Sequence, residues 1–122
     1  MATNYVQSGE VINWTNGTGS AVVAGQVVAI GQTLGVALVN IAVAAAGSVS
    51  IRGVYTVPKV TAAVIAAGES LVWDVSAAKF DDNVATPATG DISGPAAMAF
   101  EAAGSSATTL KVMFTGVPGT KT

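Results

Sequence analysis

The chain has 122 residues, of which 51% are hydrophobic and only 10% charged, where soluble proteins carry about 25% charged residues. Neither cysteine nor histidine occurs, which excludes a disulfide framework and removes the usual zinc ligands and the usual general base. A net charge of −2 and five scattered basic residues, Arg52, Lys59, Lys79, Lys111 and Lys121, exclude the clustered basic face that nucleic acid requires.

The elements follow in chain order. Residues 1–8 lack helical periodicity and read as an extended N-terminal arm leading into a first strand over Gly9 to Trp14. Asn16-Gly17 and Gly19-Ser20 supply turn chemistry, because both residue types tolerate positive φ. Val22 to Ile30, broken by Gly25, and Leu34 to Val43 are rich in Val and Ile and fit a pleated surface. In the second run, Ala37, Val39, Ile41 and Val43 form a fully apolar face that should point inward. Ser48 to Val57 alternates cleanly, with Val49, Ile51, Gly53, Tyr55 and Val57 on one side, and Pro58 ends it for lack of a ladder donor. Val60 to Ala67, starting beside proline and stopping at Gly68, is the helix candidate, spanning 60–67. Leu71 to Val75, containing Trp73, is a further strand. Ser76 to Pro95 holds Asp81, Asp82 and Asp91 among turn residues and reads as a hairpin followed by a loop. Ala96 to Ala102 and Thr108 to Thr115 complete the strands, and the Gly/Pro/Thr-rich end should fray.

No charge lies between Glu10 and Arg52, yet Gly17, Gly19, Gly25, Gly31, Gly35 and Gly47 cut this stretch into short pieces. A membrane helix needs about 20 uninterrupted apolar residues, so no spanning helix is expected and protein must cover the stretch instead. An internal echo supports a sheet. Ala24 to Ile30 resembles Ala67 to Trp73, Gly35-Val36-Ala37-Leu38 parallels Gly94-Pro95-Ala96-Ala97-Met98, and Ala46-Gly47 parallels Ala103-Gly104. Two such strand–turn–strand units suggest an all-β fold, a small compact β-barrel or paired sheets, with one short helix. The expected organisation is an arm over 1–8, a single β-rich domain over 9–116 and a flexible tail over 117–122.

Catalytic motifs are sought without success. Gly25 to Thr33 looks superficially like a phosphate loop, but the glycine spacing is one residue too long and Gln32 replaces the lysine that would reach the phosphates. Asp81-Asp82-Asn83 offers three oxygen donors where calcium takes six to eight. No Gly-x-Ser-x-Gly or Ser-x-x-Lys pattern occurs, and no histidine could activate a serine. Neither an enzyme nor any metal, cofactor or small-molecule site is expected. Tyr5, Trp14, Tyr55 and Trp73 lack the basic groove of a nucleic-acid platform. For Trp14, Tyr55 and Trp73 the expected role is that of core or interface anchors. A domain so poor in charge is expected to be a subunit of an assembly.

Taken in order, Asn4-Tyr5-Val6-Gln7-Ser8-Gly9-Glu10-Val11, Gly35 to Leu38, Ala45-Ala46-Gly47, Gly53 to Lys59 and Ala67 to Asp74 resemble a family of small bacteriophage proteins of the capsid cement type. Some members carry a recombinase label, which the failed phosphate loop does not support. The resemblance implies a head decoration protein: a β-rich subunit, commonly trimeric, that binds the outer capsid lattice after expansion and reinforces it. Its partners would be the major capsid protein and its own copies, with no nucleic acid and no membrane. It would be made in the host bacterial cytoplasm and reside on the outer surface of the virion. The N-terminal arm, through Thr3, Asn4, Tyr5, Val6 and Gln7, would add a strand to a capsid-protein sheet edge. The stretch from Phe80 to Ser93 stands out as an insertion relative to shorter members. The alternative functions are a tail or baseplate component and an ATP-dependent recombinase.

Overall fold

The structure, a computed structural model, describes Thr3, Asn4 and residues 9–122. Regular structure among these residues is entirely β: β1 (Val11–Thr15), β2 (Val27–Ile30), β3 (Thr33–Ala37), β4 (Ala46–Ser50), β5 (Arg52–Pro58), β6 (Val72–Asp74), β7 (Lys79–Asp81), β8 (Ile92–Ser93), β9 (Ala97–Ala99), β10 (Thr109–Thr115) and β11 (Thr120–Lys121). Three sheets result, ordered β1-β4-β3-β2, β5-β10-β9 and β11-β8-β6-β7, with a curled, half-barrel sheet among them. The alternating run Ser48 to Val57 is divided at Ile51. Its first part, β4, pairs with β1 and β3, and its second, β5, pairs with β10. One continuous strand pattern thus passes from one sheet to the next.

Residues 60–67 do not form the expected helix. Ala62 has φ +77°, far outside helical geometry. The N–H groups of Val60, Ala62 and Ile65 donate to the carbonyls of Phe80, Ser105 and Ala103 at 2.9, 2.8 and 2.9 Å. A helix this short is marginal in water, since about 12–15 residues are needed; the neighbouring strands offer these donors better partners. Ala63 and Ile65 are buried while Val64 and Ala66 are exposed, which is the period of a strand.

Two further expectations are corrected. Ala37 and Ile41 point inward, but Val39 and Val43 are exposed, because β3 ends at Ala37 and its alternation ends with it. Beyond Gly116 the chain does not fray: Thr120 and Lys121 pair with Ser93 and Ile92, and Thr122 N–H donates to the Asp91 carbonyl. This closure requires Gly119, where a Cβ would lie 2.5 Å from the Ser93 carbonyl oxygen. The hairpin expected within Ser76 to Pro95 forms one strand earlier, β6 pairing with β7 across the turn that begins at Val75. At its turn Asp74 accepts from Ser76 and Ala77, and the Ser76 hydroxyl holds the Asp74 carboxyl below its usual range.

The architecture is a tandem repeat. In the first half Val36 and Ala37 face Ser50 and Val49; in the second Met98 and Ala99 face Met113 and Val112. Val27 faces Val36 as Ser70 faces Met98, and the bridge Val22–Ile41 is matched by Ile65–Ala103. Ile12 lies opposite Val49 as Tyr55 lies opposite Val112. The sequence echo Ala24–Ile30 with Ala67–Trp73 is in this register. The other two echoes are not: Gly35 to Ala37 correspond to Ala97 to Ala99, and Ala103 corresponds to Ile41 rather than Ala46. Where the first half turns at Gly31-Gln32, the second inserts β7, a loop and β8, which displaces the register. The residue after β1, Asn16, and the residue after β5, Lys59, are both fully buried polar groups. Asn16 Nδ2 donates to the Ser20 and Ile41 carbonyls and Lys59 Nζ to those of Val60 and Ala107, so each is hydrogen-bonded as burial demands.

The halves pack face to back. The inner face of the second sheet, with Val57, Leu110, Val112 and Phe114, shares one core with Val27, Leu34 and Val36 from the back of the first sheet. Aromatic rings run through this core, Trp73–Phe80 at 4.8 Å, Phe80–Phe114 at 5.9 Å and Phe114–Tyr55 at 6.0 Å between centroids. The inner face of the first sheet encloses a smaller cluster of Val22, Val28, Ala37, Ile41 and Val49.

Two substitutions test this description. Ala62→Gly is expected to leave stability unchanged or raise it by up to about 1 kcal/mol, because glycine relieves the left-handed strain; in a helix the same change would cost about 1 kcal/mol. Gly35→Ala is expected to lower stability by about 1–3 kcal/mol, since its Cβ would meet Val49 Cγ1 at 2.6 Å and the Ser50 carbonyl at 2.8 Å. Denaturant midpoints at constant m-value measure both.

Candidate interaction surface

Among the described residues no group of three or more carboxylates could hold a metal ion. Asp81 and Asp82 turn their carboxylates onto their own loop, accepting from the N–H groups of Asp82 and Val84 at 2.8 and 3.0 Å. Asp91, buried, accepts from Val75 N–H at 3.1 Å and Ala88 N–H at 2.9 Å, fastening the inserted loop to β6. The segment resembling a phosphate loop is the β2–β3 hairpin with the turn before it. Glu101 and Lys111 form an ion pair at 3.8 Å with both side chains about half exposed, and such a pair contributes at most about 1 kcal/mol. What this arrangement offers is surface for contact.

The residues singled out from sequence are dispersed. Thr3 and Asn4 are exposed, while Tyr5, Val6 and Gln7 lie outside the described residues. Trp73 is buried against Phe80 on the floor of an apolar cleft of about 390 Å³, between the turn Val23 to Gln26 and Pro58 and Ala78. Tyr55 is half-buried, edge-on to Phe114. Trp14 is half-buried at the margin of the smaller cluster, so the fold brings Tyr55 and Trp73 into one core and leaves Trp14 apart.

Sequence reading passed over the back of the second sheet. There Val54 and Met98 flank Met113 in one cross-strand row, with Val54 41% exposed and Phe100 51% exposed nearby. A groove of about 400 Å³ between Arg52–Val54 and Met113–Thr115 runs beside this row. The signal was present: in Thr109 to Thr115, alternation that sends Leu110, Val112 and Phe114 inward leaves Met113 outside. A half-buried methionine beside an exposed valine marks a surface made for adaptable packing.

A model of the phage cement protein family matches residues 6–114. No curated protein matches the chain.

The two tryptophans report on these placements separately. In dilute solution Trp14→Phe, which leaves Trp73, is expected to emit at short wavelength with weak acrylamide quenching. Trp73→Phe, which leaves Trp14, is expected to emit further to the red and quench more readily. The opposite order would contradict the burial described.

Proposed function

The chain belongs to the phage cement protein family, a capsid-associated structural role, and from this we propose that it is a head decoration protein. It binds the outer surface of the expanded phage head, contacts the major capsid protein and stabilises the shell as a homotrimer, without catalysis. The family match carries this reading. Two observations support it: the chain is 10% charged, and its exposed aliphatic side chains are distributed over both halves, including Val23, Val43, Val64 and Val84. A subunit touching sister copies and capsid protein at once uses such a surface, gaining affinity from many copies and not from one deep site. Residues 1–8 serve as an arm, with Thr3, Asn4, Tyr5, Val6 and Gln7 adding a strand to a capsid sheet edge.

Purified protein mixed with expanded heads that lack it is expected to decorate the lattice uniformly when imaged, and to raise the temperature at which the heads release DNA. Binding at the tail alone, or no binding, would refute the decoration role. Deleting Ala2 to Gln7 is expected to abolish capsid binding while leaving thermal unfolding of the free protein unchanged; retained binding would dismiss the arm.

A further inference from the structure

The tandem repeat shows what covers one of its own faces. Within the chain, the inner face of the second half, with Tyr55, Val57, Trp73 and Phe114, is closed by the back of the first half through Val27, Leu34 and Val36. By the strand registers, Ile12, Trp14, Ile30 and Ile51 occupy the corresponding inner positions of the first half. These four are only half-buried at the edge of the smaller cluster, and Val39 beside Gly47 is 46% exposed. The back of the second half is likewise only partly covered. Its Met98 corresponds to the buried Val36 and shares that face with Met113, both half-buried, and with the exposed Val54, while Gly119 of the C-terminal segment lies against Ser93, Ile92 and Ala96.

We propose that a second copy of this chain joins these two faces. The back of the second half of one copy, through Val54, Met98 and Met113, seats on the inner face of the first half of the next, against Ile12, Trp14 and Ile51. The contact repeats between copies the packing that already exists within one. Its chemistry is compatible: the first half is uncharged from Val11 to Ile51, and of the cations on the back of the second half Lys111 is already paired with Glu101 while Arg52 lies at the edge of the row, along Gly116. A two-fold contact pairs its residues reciprocally across the axis, whereas these two faces lie at opposite ends of the stacked halves of one copy, so they join copies head to tail rather than as a simple dimer. Head-to-tail joining gives a ring where the rotation closes and an open filament where it does not; the form proposed is the ring, of which the trimer proposed above is the smallest. The inference deepens that assembly reading and rests on self-association, not on the capsid as partner.

Two exposed positions allow a test that keeps the fold intact. Val54→Glu disables the back of the second half and Val39→Glu the inner face of the first, with circular dichroism and thermal unfolding confirming native structure. By native mass spectrometry at one concentration, wild type is expected as a closed oligomer and each variant as a monomer. An equimolar mixture of the two variants is expected to give a heterodimer and nothing larger, because one intact face of each kind remains. Met113→Glu should behave as Val54→Glu. A monomeric wild type, a variant that keeps the wild-type mass, or a mixture that stays monomeric would overturn the proposal. Wild type that decorates heads while the variants keep its mass refutes these faces and leaves the decoration role standing. Wild type that dissects as expected but ignores heads does the reverse.

Discussion

The fold depends on one contact: the back of the first sheet closing the inner face of the second. The chain supplies few large side chains, with aromatics at 6%, and concentrates them here, where Trp73, Phe80, Phe114 and Tyr55 form a chain of ring contacts beside Val27, Leu34 and Val36. Burying each such side chain contributes about 1.5–3 kcal/mol, so this core outweighs the smaller cluster built from valine, alanine and isoleucine. The insertion carrying β7 and β8 belongs to the same economy of space. Phe80 and Ile92 complete the larger core, and the first half has no counterpart to them, which is why its own inner face stays half open.

Neutrality at the surface follows from the same composition. A protein with one charged residue in ten leaves aliphatic groups at the boundary with water, as Val23, Val43, Val64 and Val84 do here. Buried polar groups are few and tied to loops: Asn16 and Lys59 hold the corresponding loop of each half, and Asp91 holds the insertion. None of them is positioned against another as acid and base. The molecule is arranged to present contact area, which agrees with the structural, capsid-associated role of the phage cement family.

Much of the β structure was readable because alternation is a local property. Strands β1, β4, β5 and β10 fall on runs whose apolar residues recur every second position, β6 on a short apolar run, and the turn that joins β6 to β7 on turn residues. The alanine-rich stretch 60–67 misled, because its helix formers and flanking glycine say nothing of the carbonyls of Phe80, Ala103 and Ser105 that capture its donors. The frayed tail misled likewise: Gly119 reads as a breaker but is the residue that admits close approach to Ser93. Trp14, Tyr55 and Trp73 were legible as anchors by type; which of them shares a core depends on how the sheets stack.

By itself the sequence determined that this chain is β-rich, poor in charge and without cysteine or histidine, since composition, alternation and missing residue types need no partner to be read. Only the tertiary structure decided that the two halves repeat in register, that they pack face to back, and that the insertion fills one inner face and not the other. Those facts arise from pairings between residues far apart in the chain, such as Ile65 with Ala103 and Val36 with Ser50, and no local pattern encodes which distant partner a strand will choose.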